Sequence, residues 1–484
     1  MKLEDFLIKE YGYNADVKNA LQTYIDQWKS WYEGNVKNFH NYYSFNGLKK
    51  KKKHRYTMNM AKEISEDWSD ILWSEKCEIT LTNEDSQKQF EELINVLDLY
   101  TLINQSIEKS GALGTESAVV SVYDIIENED SMVLDVSDAK TRVDLVDIDW
   151  IYPLTWNNKG ITECAFGSVE YIKGQKYVIL SVHKKDEKTG NYHILNHLFK
   201  ETNGTLTEIV ETNSEENNTM RDFDTKSNIP WFAIFKPLLT NNLFNNSPFG
   251  IPHYANAIDN LKAVDISFDA LKNEVSNRRR TFVRADLLSY DSGEEKMVFD
   301  EDDDSVYVLP KGATKDDLIQ SDSDDLRTDK QIATLNTNLN ILGSKVGFGE
   351  NHYHFDGENL STATAVVSSN SKLFRRKKKL ETGYESAIYD LVRAICYAST
   401  NFGKYTINYD DFVIKFDDSI VEDKEAESIR ALREVNAGII SKEEYREKIF
   451  GETPEIAQQK ISEIEENEPT ADDILGTRNE GGAE

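Results

Sequence analysis

The sequence is poor in cysteine, proline and positive charge, and it has no long apolar run. Its three cysteines, Cys77, Cys164 and Cys396, are odd in number and far apart. They make neither a disulfide framework nor a CxxC metal pair, and they fit a reducing compartment. Eight prolines and 24 glycines in 484 residues are too few for a fold of many tight turns, so long regular elements are expected. No stretch approaches the ~20 apolar residues of a membrane span, and the opening residues are acidic where a secretory leader needs an apolar core. A soluble chain made in a cytoplasm, with no membrane partner, is the expectation. Acidic residues outnumber basic ones 86 to 56, a formal net charge of -30. DNA-binding proteins normally carry a basic footprint that neutralises phosphates. This chain repels DNA over most of its surface, so either nucleic acid is no partner or weak contact with it is the point.

Signatures of chemistry are also missing. No G-x-x-x-x-G-K-[ST] string supplies the amides and lysine that cradle phosphates. Gly111 and Gly114 follow a helical stretch and precede a strand, the reverse of a dinucleotide turn. The acidic run Asp300–Asp304 opens like a calcium loop, but Ser305 stands where the loop turns on glycine and Lys311 where it needs glutamate. With no G-x-S-x-G elbow and no H-E-x-x-H, no catalytic residue, metal or cofactor is assigned. The strongest metal candidate is His352-Tyr353-His354-Phe355-Asp356. Alternating imidazoles on an extended segment point the same way and, with a carboxylate, can hold zinc. No nearby His or Cys completes the set, so a glycine-flanked loop exposing aromatics for contact is preferred.

What is present is enough apolar (39%) and aromatic (11%) side chain for real cores, and a length suited to two or three units at roughly 150 residues each. Residues 1–45 read as helical and the run Lys49–Lys53 as a solvated loop. Helical spacing returns over 58–73, followed by a short strand from Glu78. Over 86–110 one helix puts Phe90, Leu93, Ile94, Leu97 and Tyr100 on a face, until Gly111 and Gly114 break it. From Ser117 the period becomes two, a β-rich insert over 117–240 that includes a polar loop at 211–228. A helix over 252–279, roughly 40 Å long, carries Tyr254, Ala257, Leu261, Val264, Phe268, Leu271 and Val275 in three-four steps. Its opposite face holds Asp259, Lys262, Asp269, Lys272 and Glu274. Short strands with acidic turns fill 281–325, at 281–288, 295–300 and 305–310. A second helix, 326–346, repeats the seam at Ile332, Leu335, Leu339, Leu342 and Val346. A glycine-rich aromatic stretch follows, then Ser361 caps a helix of about forty residues with its seam at Leu380, Tyr384, Ala387, Leu391 and Ala394 and a basic run, Arg375–Lys379, in its middle. A strand near 410–420 leads into two short helices broken at Ala437 and Gly438, and an acidic tail that cannot fold alone.

Two long helices carrying a small acidic β module at their tip are awkward in an isolated globule and natural in a ring, where neighbouring copies cover the remaining faces. In this order, in NSPFGIPHYANAIDNLKAVDISFDAL and GENLSTATAVVSSNSKLFRRKKKLETGYESAIYDLV, and more weakly in KSGALGTESAVVSVYD and IYPLTWNNKGITECAFGS, the chain resembles the portal proteins of long-tailed phages that infect Gram-positive bacteria. The resemblance implies an α+β, mainly helical portal fold. Its parts would be a wing (1–245), a two-helix stem (246–280 and 326–346), a clip (281–325), a tunnel loop (347–360), a long wing helix (361–403), a crown (404–465) and a disordered tail (466–484). It implies a dodecamer at the capsid vertex of the virion through which double-stranded DNA is packaged and ejected without sequence-specific contact. The terminase packaging motor, capsid and scaffolding proteins and the head–tail connector are the partners it implies. The stem seam would be Tyr254, Leu261, Val264, Phe268, Leu271, Val275, Leu335, Leu339 and Leu342. DNA contact would fall to Asn351, His352, Tyr353, His354 and Phe355, although two histidines and a tyrosine at the loop depart from the family, so its contact chemistry does not carry over. Two rivals remain at this stage: a metal-dependent phage hydrolase using His352 and His354, and a non-portal tail or connector ring that shares the seams but needs no loop narrowing the bore.

Overall fold

Amphipathic spacing at the start gives α1 (Leu3–Tyr11) and α2 (Asp16–Tyr32), then the single turn α3 (Lys37–His40). In the computed structural model the described residues are 2–45, 50–123, 126–128, 133–135, 139–210, 220–276, 280–284, 306–309, 319–322, 327–349, 352–355, 363–417 and 431–467. The chain divides into two units after Asp417.

The lysine run is strand, not loop. β1 (Asn41–Phe45) and β2 (Lys50–His54) form an antiparallel hairpin that pairs Tyr43 with Lys52. Positions along β2 alternate exposed and half-buried, so the ammonium groups stay wet while the backbone is paired. Next come α4 (Met60–Leu72) and β3 (Glu78–Leu81). The single helix expected over 86–110 is two, α5 (Glu84–Leu97) and α6 (Leu99–Leu113), because Asp98 takes left-handed backbone at φ +50° and turns the chain. Gly111 lies inside α6, and Gly114, at φ +86°, ends it. A Cβ on Gly114 would sit 2.6 Å from the Gly250 carbonyl, and one on Gly250 2.4 Å from the Gly114 carbonyl. Only glycine lets these two backbones meet.

The β-rich insert follows its period-two pattern through β4 (Glu116–Tyr123), β5 (Ile126–Asn128), β6 (Val133–Asp135), β7 (Lys140–Asp147), β8 (Ile151–Asn157), β9 (Gly160–Ile172), β10 (Gln175–Lys185), β11 (Tyr192–Thr202) and β12 (Thr205–Ile209). Two further strands are β13 (Asp222–Asp224), inside the stretch expected as polar loop, and β14 (Phe232–Phe235). The larger sheet runs β12-β11-β10-β9-β8 with β13 on β11, and a second runs β14-β4-β7. The larger sheet buries both faces. Ala165, Val178, Leu180, Val182 and Phe199 meet Leu3, Phe6 and Leu7 of α1, while Cys164, Phe166, Tyr192 and Ile194 join the main core.

After a 3₁₀ turn at Ala255–Ala257 comes α7 (Ile258–Ser276). α8 (Thr328–Val346) packs antiparallel on it, since Asn338 reaches Ala263 and Ser267 while Arg327 reaches Glu274. Between them, β15 (Arg280–Arg284) pairs parallel with β16 (Val306–Leu309) and antiparallel with β17 (Ile319–Asp322), a strand the sequence pattern did not single out. The strand expected at 295–300 lies outside the described residues. α9 (Ala363–Asn401) buries Leu380, Tyr384, Ala387, Leu391 and Ala394 as its seam requires. β18 (Phe412–Lys415) pairs with β3 and so belongs to the larger unit; the division falls after Asp417 rather than at 404. The smaller unit has a helical stretch at 431–436, then α10 (Lys442–Phe450), begun by the Ser441–Glu444 capping box, and α11 (Pro454–Asn467), a third helix. Residues 468–484, most of the expected tail, lie outside the described residues.

Candidate functional site

The α7/α8 hairpin buries most of its expected seam. Leu335, Leu339, Leu342 and Val346 are buried on α8, as are Tyr254, Leu261 and Val264 on and before α7. Phe268 and Leu271 are only half-buried, and the side chain of Val275 lies outside the described residues. The face of α7 expected to be charged and open is corrected at Asp269, which is buried together with Asp265 and Ser267. Asp265 accepts the Met58 backbone N–H at 2.9 Å and faces His40 Nε2 at 3.0 Å. Asp269 accepts the Tyr56 backbone N–H at 3.2 Å and the Asn273 amide at 3.0 Å. Toward the 56–58 segment α7 is therefore polar, with its buried carboxylates satisfied as burial demands. Asp259 does stay exposed, paired with Lys262 at 2.9 Å.

Among the described residues after α8, 347–349 and 352–355 are anchored by specific contacts. Gly347, at φ +106°, caps α8 by donating to the Gly343 carbonyl at 3.1 Å. The chain then enters a column of rings. Trp68 lies 5.5 Å from His253 and 4.5 Å from Phe348, and His352 stacks flat on Phe348 at 4.3 Å and 4°. Tyr353 Oη donates to Asp67 at 2.7 Å, and His352 Nε2 lies 3.5 Å from the same carboxylate. The Phe355 backbone N–H donates to the Asn336 side chain at 2.9 Å, and its ring stands edge-on to Phe268 at 6.3 Å. His352 and Phe355 keep exposed surface while Tyr353 and His354 are half-buried; Asn351 lies outside the described residues. Burial, then the charge of Asp67, drives the Tyr353 hydroxyl far above the ordinary phenol range, so it remains a neutral donor. Burial, with the charge of Arg376 adding to it, lowers His253 to about 3, which keeps that imidazole neutral. Among the described residues no group of three His, Cys, Asp or Glu side chains gathers as a metal site would need.

The basic run on α9 splits by face. Lys377 is buried, pairs with Glu381 at 2.9 Å and donates to the Asp417 carbonyl. Lys372 donates to the Ser344 carbonyl at 2.6 Å and its hydroxyl at 2.8 Å, at the C-terminal end of α8 where a cation is favoured. Lys345, Lys372, Arg375, Arg376 and Lys379 line an open groove of about 940 Å³ between α8 and α9. Sequence reasoning missed this groove, although the spacing 372, 375, 376, 379 already placed four cations on one helical face.

A family model described as phage portal protein, SPP1 Gp6-like, matches residues 14–471, and so spans every element from α2 to α11. No curated protein matches the chain.

Proposed function

The chain belongs to the SPP1 Gp6-like phage portal proteins, structural ring-forming proteins of the capsid vertex, and from that premise we propose that twelve copies close around duplex DNA as the conduit for packaging and ejection. The antiparallel α7/α8 hairpin, interrupted by a three-stranded module and followed at once by an anchored loop, carries this reading. In it α7 and α8 are the stem. Residues 281–325 are the clip that docks the terminase motor and then the head–tail connector, and the wing comprises 1–245 and α9. The unit after Asp417 is the crown. The ring is built in the cytoplasm of a Gram-positive host together with capsid and scaffolding proteins.

A net charge of -30 on each copy repels phosphates along the bore, and DNA that is nowhere held tightly can slide. His352 and Phe355, exposed among the described residues of the loop, provide weak contact blind to sequence. Native mass spectrometry and negative-stain images of the full chain test the ring: a closed oligomer with a through-channel is expected, and a stable monomer at every salt concentration overturns it. Replacing 351–355 with Gly and Ser should leave rings intact but impair packaging in phage complementation. Wild-type packaging by that variant removes the loop from the mechanism.

A further inference from the structure

Two rows of opposite charge share one helical spacing. On α9, Lys372, Arg375, Arg376 and Lys379 stand at i, i+3, i+4 and i+7; on α4, Glu63, Glu66, Asp67 and Asp70 repeat those intervals with carboxylates. Each row is about 10 Å long at 1.5 Å per residue. Like charges three and four apart on a helix destabilise it, so each row costs its own chain stability. Part of the acidic row is served locally, by Lys62 on Glu66 at 3.1 Å and by Tyr353 on Asp67. Glu63 is nonetheless held above the usual carboxylate range by burial and by the charges of Asp67 and Glu66. In the basic groove, Arg376 Nε is buried with no hydrogen-bond partner, and Ile341 in the lining is 45% exposed.

We propose that the groove seats a second copy of this chain, the basic row of one copy docking on the α4 carboxylates of the next around the ring. This rests on the ring reading above. A rotationally symmetric ring is closed by two different patches at the same height. Arg376 of the basic row and Trp68, the neighbour of Asp67 on α4, both approach Gly347, where a Cβ would meet Arg376 Cγ at 2.8 Å and Trp68 at 3.3 Å. Copies that each carry -30 repel one another, so assembly needs concentrated complementary charge at the contact. A protein surface would also cover Ile341. Duplex DNA is the weaker occupant, because a row of cations on every copy would grip phosphates cumulatively in a conduit that must let them pass.

Full-length Arg375→Glu/Lys379→Glu and Glu63→Lys/Asp70→Lys variants, purified separately and then mixed in equal amounts, test the pairing by native mass spectrometry. Each alone should give at least tenfold fewer rings than the unaltered chain. The mixture should recover most of the yield as alternating rings, which only contact between copies can produce. Either variant assembling normally, or a mixture that fails to recover, overturns the pairing. A variant groove that assembles normally but loses duplex DNA retention on filters makes it a nucleic-acid site instead. An unaltered chain that never closes rings defeats the ring reading, and this inference with it. Should charge reversal unfold either variant by circular dichroism, Lys379→Gln and Asp70→Asn replace them. Rings of these should lose much of the salt sensitivity of unaltered rings, and unchanged salt sensitivity overturns the pairing.

Discussion

The sheet β8–β12 and the junction of α4, α7, α8 and the described residues 347–349 and 352–355 are both held by buried groups, but by different chemistry. The sheet buries alternate apolar side chains against α1 on one face and the main core on the other. Its buried imidazole, His183, sits edge-on between Phe166 and Phe232, 5.4 Å from each, with no hydrogen-bond partner on either nitrogen. The junction holds an unpartnered imidazole of its own, His253, but adds buried polar groups that have partners: Asp265 with His40 and Met58, Asp269 with Tyr56, Tyr353 with Asp67. Apolar burial favours compactness without dictating one arrangement, since hydrophobic attraction is non-directional. Paired polar groups in the interior tolerate only the arrangement that pairs them. That is a useful property where a loop must be held in one place.

The comparison breaks most readily at Asp265. Asp265→Ala leaves His40 buried without its carboxylate and the Met58 N–H without an acceptor. A buried donor left without its acceptor costs about 1–3 kcal/mol, and two are left here, so urea denaturation should show a loss of at least about 2 kcal/mol. If the loss is under about 1 kcal/mol, as at an exposed pair, then the junction's polar groups are incidental and the contrast with the sheet fails. Asp259→Asn, on the exposed side of the same helix, is the internal control and should be nearly silent.

These differences also mark what could be read from the chain beforehand. The α8 seam and strands β9 to β11 were legible because burial there follows a local period of 3.6 or 2 that any window displays. The order of hairpin, module, loop and long helix was legible as well, and it is what the family resemblance rested on. Asp265 was not, because its partner His40 lies 225 positions away. Nor was the anchoring of Tyr353, whose acceptor Asp67 is 286 positions away on another helix. The lysines of β2 looked like a solvated loop because charge at every position hides the pleat that pairs their backbone. Asp98 gave no warning of a helix break, since an aspartate can continue a helix or turn it in left-handed backbone. The cations of the groove were visible as a spacing, but which helix would form the other wall was not.

A finer test of the junction is Tyr353→Phe, which keeps the ring against Phe348 and removes only the O–H donated to Asp67. A hydrogen bond to a charged group contributes about 1.5–3 kcal/mol, and the loss should appear in both stability and local order. Hydrogen exchange should quicken at the backbone amides of 348–353 and stay unchanged in β9 to β11. Equal quickening in both regions would mean the loop is held by the general core rather than by this contact.

The smallest effect at neutral pH is expected in the sheet, and it becomes informative only in acid. Burial lowers His183 to about 3 from an ordinary value near 6.5, so between those values the folded chain binds fewer protons here than the unfolded chain. Stability therefore rises with pH across that window: this contribution is complete above about 6.5 and is lost as pH falls toward 3. The slope from one such histidine is at most about 1.4 kcal/mol per pH unit. His253 is depressed to about 3 in the same way, so the unaltered protein carries two such contributions. His183→Phe fills the slot between Phe166 and Phe232 with an apolar ring of similar size, removes two unpartnered nitrogens and leaves one titrating site of the pair. At pH 7 the change should stay within about 1.5 kcal/mol, as volume-conserving core exchanges do. Between pH 6 and pH 4 the variant should lose stability less steeply than the unaltered chain, by up to that single-proton slope. Urea midpoints at half-unit pH steps would show it. Parallel curves for the two proteins would mean that His183 is protonated or solvated in the folded state, and that the sheet's interior is less dry than its packing indicates.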